Sequence, residues 1–254
     1  MRRNYEIEVC ANSLESAWAA QAGGADRVEL CAGMPEGGTT PSIGTIRLAC
    51  ERLSLRVHPI IRLRGGDFLY TKEEIEIMEE DIRQAVAVGA QGVVVGCLCA
   101  DGRLDLPSLR RLIDAAEGRS VTLHRAFDYV LDPFRAIDEL IDLGVERILT
   151  SGQAPTAMQG VAMLKQCVEY AGDRIKIMVG CGVNEVNIAT LAQETGATAF
   201  HFSARIQKKS AMQVCNEALY MGNKGVDEYA TELTSVEKVK TIIQALCGQQ
   251  PFGL

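Results

Sequence analysis

Eight times in 254 residues the chain passes through a short apolar segment, breaks into polar residues and then enters a helical stretch. The segments are YEIEVC, RVELC, VHPIIR, GVVVGCL, VTLHR, RILTSG, IKIMVG and TAFHFS, starting near residues 5, 27, 57, 92, 121, 147, 175 and 199. A spacing of roughly 22–35 residues suits one βα unit each. The joints repeat as well. Gly23-Gly24-Ala25-Asp26, Gly89-Ala90-Gln91-Gly92, Leu143-Gly144-Val145-Glu146 and Thr195-Gly196-Ala197-Thr198 each set glycine where a helix C-terminus needs a left-handed residue. Eight such units with no second composition regime predict a single-domain, closed (β/α)8 barrel, with a doubly wound open sheet as the runner-up. A last helix is expected from Ser235 to Leu246, and the longest irregular stretch from about 204 to 234, packed over the rim or against another subunit.

Composition narrows the partners. Lys plus Arg is 26 against 33 Asp plus Glu, a net charge of −7, so there is no basic footprint for nucleic acid or an anionic membrane. No run approaches the roughly 18 apolar residues of a membrane span, and the opening MRRNYEIEVC lacks the apolar core of a signal peptide. Nine cysteines at irregular spacing read as reduced thiols, as expected of a cytoplasmic protein with small ligands.

In a parallel barrel the strand C-termini meet at one rim, and here they carry chemistry. Alternation along a strand puts Glu8 and Cys10 on one face, and Glu29 and Cys31 on one face of the neighbouring strand. Both pairs are expected to point inward, because an acid facing the helix layer would be costly unless paired. The two thiols suit a soft metal such as Cu(I), or they fill a tight barrel layer as small hydrophobes. Arg62 and Arg64 share parity beside Gly65-Gly66 and Asp67. They form either a bidentate clamp for carboxylate or phosphate, or an internal salt-bridge network with Glu8, Glu29 and Asp67. His124 and His201, two of three histidines, fall at strand ends. With Asp128 or a glutamate in reach, either is a candidate general acid or base; the alternative is a hydrogen-bonded core residue. His58, early in its strand, reads as structural. The loops holding Ser151, Gly182, Ser203 and Arg205 end strands six to eight, where barrels aim N–H groups at anions.

Together EVC (8–10), GGADRVELC (23–31), EGGTTPS (36–42), HPIIRLRGGDF (58–68), TLHRAFD (122–128), LTSG (149–152), GCG (180–182) and HFSAR (201–205) resemble the CutC family across nearly the whole chain. The resemblance implies a cytoplasmic TIM barrel that self-associates as a dimer or tetramer, takes part in copper homeostasis and binds copper, with Cys10 and Cys31 at the family's cysteine positions. Leu63 stands where the family commonly has Pro, Cys181 where it has Gly or Ala, and Val214-Cys215-Asn216 departs from its Phe-Arg-Asn; Cys97 and Cys99 match no family position. Two readings follow: a protein that handles Cu(I) through thiols, and an enzyme that acts on a small anionic or phosphorylated substrate by acid/base chemistry. The second gives Glu8, Glu29, His124, Asp128 and His201 the proton transfers and Arg62, Arg64, Asp67, Ser151, Gly182, Ser203 and Arg205 the ligand.

Overall fold

The structure is a computed structural model that describes residues 4–216, 219 and 227–248. Eight strands run parallel: β1 (Glu6–Ala11), β2 (Arg27–Leu30), β3 (Arg56–Pro59), β4 (Gly92–Val95), β5 (Ser120–Leu123), β6 (Arg147–Thr150), β7 (Lys176–Val179) and β8 (Ala199–Phe202). Helices follow them in turn: α1 (Leu14–Gly23), α2 (Ile43–Arg52), α3 (Lys72–Ala87), α4 (Leu106–Ala115), α5 (Pro133–Asp142), α6 (Val161–Ala171), α7 (Ile188–Thr195) and α8 (Val236–Cys247). Neighbouring strands pair in the order β3-β2-β1-β8-β7-β6-β5-β4, and a single parallel bridge between Ile60 and Val94 joins the two ends. The expected (β/α)8 barrel is therefore the fold.

Local signals set the elements. Thr71 caps α3 in a reciprocal capping box with Glu74, and the helix buries Ile75, Met78, Ile82, Ala85 and Val86 on one face. Asp132 and Pro133 start α5; Ser235 caps α8. Gly24 and Gly196 close α1 and α7 with φ of 94° and 72°. Two large apolar clusters lie between the strands and the helix ring, one under α3 to α6 and the other around α1, α2, α7 and α8.

Inside the barrel the apolar groups are few: Cys10, Cys31, Ile60 and Val94 in one small cluster, and Leu149, Met178 and Ala199 in another. Much of the rest of the lumen is polar or charged. Barrels usually fill this space with branched aliphatics; here Glu8, Arg27, His58 and Thr122 lie fully buried and cross it.

The stretch expected to be irregular departs from that reading at both ends. β9 (Arg205–Lys209) and β10 (Ala230–Thr234) pair antiparallel as a ribbon outside the barrel. Its exposed faces are so polar, with Gln207, Lys208, Lys209 and Glu232, that no apolar alternation marks it. Residues 217–218 and 220–226, within the same stretch, lie outside the described residues.

Candidate active and metal-binding site

Parity along β1 and β2 builds the site in layers. Glu6, Glu8 and Cys10 rise on the inner face of β1; Arg27, Glu29 and Cys31 rise beside them, with Cys10 level with Glu29. At the floor Glu6 meets Arg147 at 2.8 Å, Lys176 at 2.8 Å and Arg56 at 3.0 Å. Burial works against its charge, but Lys176 and Arg147 outweigh it and hold the carboxyl down at about 2. One layer up, Glu8 pairs with Arg27 at 2.5 Å. Arg27 reaches across the lumen to Thr122 Oγ1 at 3.1 Å and lies 3.4 Å from His58 Nδ1. Burial first, then the Arg27 charge, keeps His58 neutral with its pKa near 3. His58 is thus structural, as its early position in the strand implies.

The upper layer meets the rim. Glu8 Oε1 lies 2.7 Å from His201 Nδ1, and His201 Nε2 lies 3.7 Å from Glu29 Oε2. Burial opposes a charge on His201, yet its bonds to Cys10 and Glu8 outweigh it and raise the pKa. Desolvation lifts the Glu29 carboxyl to about 8. The Cys10 and Cys31 sulfurs are 3.7 Å apart, Cys31 Sγ is 3.4 Å from Glu29 Oε2, and Arg205 Nη2 is 3.7 Å from Cys10 Sγ. Contact with Cys31, and further with His201 and Arg205, pulls the Cys10 thiol below its ordinary value; Cys31 rises.

Above this layer a cavity of about 540 Å³ opens at the rim. Of the residues expected there, Cys10, Glu29, Arg62, His124, Gly182, His201, Ser203 and Arg205 line it. Cys31 lies behind Cys10, and Glu8 stands behind His201. Asp128 and Ser151 bond to each other and to Arg125, which does line the cavity.

Two expectations need correction. Arg64 and Asp67 do not join Arg62: β3 ends at Pro59, so parity no longer holds beyond it, and the chain turns at Gly66 with φ of 81°. Arg64 points outward to Glu74 at 2.6 Å and Asp67 at 3.2 Å and stacks on Tyr70. Arg62 points inward and bonds backbone carbonyls, not Glu8, Glu29 or Asp67. His124 does not pair with Asp128 either, because the 3₁₀ turn Arg125–Tyr129 carries that acid toward β6. Asp128 accepts from Thr150 at 2.5 Å and from Arg125 at 2.7 Å. His124 Nδ1 accepts from the Ala126 N–H at 3.1 Å.

Sequence reasoning missed Arg27, Glu6 and Arg147. The signal was present for Arg27, which shares parity with Glu29 and Cys31; an arginine so placed has only the lumen to enter. It was absent for Arg147, whose partner stands 141 residues away.

Buried thiols, carboxylates and an imidazole converging at the C-terminal rim define a (β/α)8-barrel protein with a polar, ligand-sized cavity at that rim. The sequence profile of the CutC family matches residues 5–206, and the chain belongs to that family. A CutC family protein of Bacteroides thetaiotaomicron is 54% identical over 246 residues, covering 96% of this chain and 99% of the relative. A human copper homeostasis protein cutC homolog is 44% identical over 239 residues, covering 94% and 88%. The solved structure of a CutC protein from Streptococcus agalactiae superposes with a TM-score of 0.75 at 36% identity, covering 78% of this chain and 98% of that one.

The donors fit a soft metal ion. One ligand atom each from Cys10, Glu29 and Cys31 lies within 4.8 Å of the others. Metal–sulfur bonds of about 2.3 Å, as in zinc thiolates, let one ion span two sulfurs up to about 4.6 Å apart, so a separation of 3.7 Å is within reach.

Proposed function

We propose that the chain handles Cu(I) in copper homeostasis, with the ion as cargo held by Cys10 and Cys31 and flanked by Glu29. The observation that carries this reading is the sulfur pair: two soft donors 3.7 Å apart, one on the cavity wall. Arg205 beside Cys10 favours the thiolate that binds metal, and Glu29 rests against Cys31. The reading places the protein in a reducing, cytoplasmic setting, self-associated as a dimer or tetramer. Competition against a Cu(I) chelator tests it. The Cys10→Ser, Cys31→Ser double variant is expected to lose at least a hundredfold in affinity; unchanged affinity rejects the thiol site.

A second reading rests on the cavity, whose 540 Å³ far exceeds what one ion needs and matches a metabolite-sized ligand. In it the protein is an enzyme for a small anionic substrate, with His201 oriented at the wall by Glu8.

A further inference from the structure

The cavity's charges are unevenly matched. Three arginines and two histidines line it, and three of these five already face a carboxylate: Arg125 with Asp128 at 2.7 Å, Arg205 with Glu232 at 3.1 Å and His201 with Glu8 at 2.7 Å. Arg62 differs. It is 6% exposed, and among the described residues no carboxylate lies within ion-pairing distance of it. Its Nη1 donates to the carbonyls of Glu36 at 2.6 Å and Gly38 at 3.0 Å, and its Nη2 to Gly66 at 2.8 Å, while Nε is buried without a partner. The guanidinium is thus held by carbonyls and not by an ion pair: the nearby Glu36 carboxylate, which also lines the cavity, lies against Gly65 instead.

His124 presents the matching neutral donor. Its Nδ1 accepts from Ala126, which puts the ring proton on Nε2, and that N–H is buried without a partner. Burial first, then the charge of Arg62, holds the ring neutral, with its pKa near 3. Both groups sit against Phe68, the Arg62 Cζ 5.2 Å and the His124 ring 5.0 Å from the centre of its ring. All three line the cavity. A buried donor left unmade costs more than a typical hydrogen bond contributes, so this wall is built for an occupant.

We propose that the Arg62–His124 wall binds a small monocarboxylate bearing a second oxygen, such as a 2-oxo or 2-hydroxy acid, with the carboxylate at Arg62 and the other oxygen at His124. A single guanidinium without an ion pair suits a monoanion better than a phosphate ester, which brings nearly two charges. This inference rests on the second reading above and not on copper.

Calorimetric titration of the full chain with pyruvate, lactate, propionate and inorganic phosphate tests it. Pyruvate and lactate are expected to compete for one site, with propionate about fivefold weaker for want of the second oxygen, and phosphate not to displace them. Arg62→Lys, which keeps the charge and loses the fork, is expected to weaken all three acids at least tenfold. His124→Phe is expected to bring pyruvate and lactate down to the propionate level and leave propionate unchanged, a split that a merely structural role would not produce. In the wild-type chain, pyruvate should shift the His124 Nε2–H resonance and propionate should not, a readout independent of any variant's folding. Equal losses for all acids in His124→Phe, displacement by phosphate, or an unmoved His124 resonance overturns the site. If the acids bind and Arg62→Lys leaves them unaffected, the small-anion reading stands and this placement falls. If none binds, both fall.

Discussion

Glu8 and Arg27 show how strongly single residues depend on each other in this lumen. Both are fully buried and 2.5 Å apart, out of reach of bulk solvent. Arg27→Met therefore leaves the Glu8 carboxylate with His201 but without its guanidinium, and is expected to cost about 3–5 kcal/mol in guanidinium unfolding. Adding Glu8→Gln to Arg27→Met should recover part of that loss, because the buried carboxylate goes with the guanidinium and the amide can still bond His201. Equal stability of the single and double variants would show that the pair is not coupled. The same closeness explains what could be read from sequence here. Alternation placed Glu8, Cys10, Glu29 and Cys31 on inner faces while the strands lasted, and the sulfurs do meet. It failed for Arg64, five residues beyond the last residue of β3, because parity has no meaning once the backbone leaves the sheet.

At the scale of elements, a glycine makes room for each imidazole. A Cβ on Gly92 in β4 would collide with the His58 ring, one on Gly96 with the His124 ring, and one on Gly180 with Leu149 and, at 3.3 Å, with His201. These glycines clear space at strand ends where any side chain would displace a site residue. Gly96→Ala is expected to cost about 1–3 kcal/mol in thermal unfolding and to reorient His124. Gly44→Ala, in the first turn of α2 where a Cβ would meet only Ser42 Oγ at an ordinary 3.9 Å, should instead stabilise by about 0.5–1 kcal/mol. Opposite signs for these two substitutions check the assignment. The strand starts read from sequence lie within one residue of those observed, since apolar runs bounded by glycine turns are local signals. The β9–β10 ribbon was hidden because its partners are far apart in sequence and its faces meet solvent. His124 and Asp128 were wrongly joined for a related reason: closeness along the chain says little once a 3₁₀ turn intervenes.

For the whole molecule, burying neutral histidines ties stability to acidity. Unfolded, His58 takes up a proton near its ordinary 6.5; folded, it resists until about 3. Between those values the unfolded chain holds the extra proton, so stability is full above 6.5 and declines as the pH falls toward 3. His58→Asn removes this contribution. Between pH 4.5 and 6.5 the variant's unfolding free energy should vary less steeply than the wild type's, by about 1.4 kcal/mol per pH unit. Parallel curves would mean that His58 titrates normally in the native chain. The barrel's closure carries a further consequence. Cys10 and Cys31 sit on the first two strands, but His201 and Arg205, which complete their surroundings, come about 170 residues later. At roughly 5–20 residues per second of synthesis, the two thiols wait on the order of 10–30 s before the groups that enclose them exist. During every round of translation this pocket begins as two uncovered sulfurs, open to oxidants, and is enclosed only when the last strand of the barrel arrives.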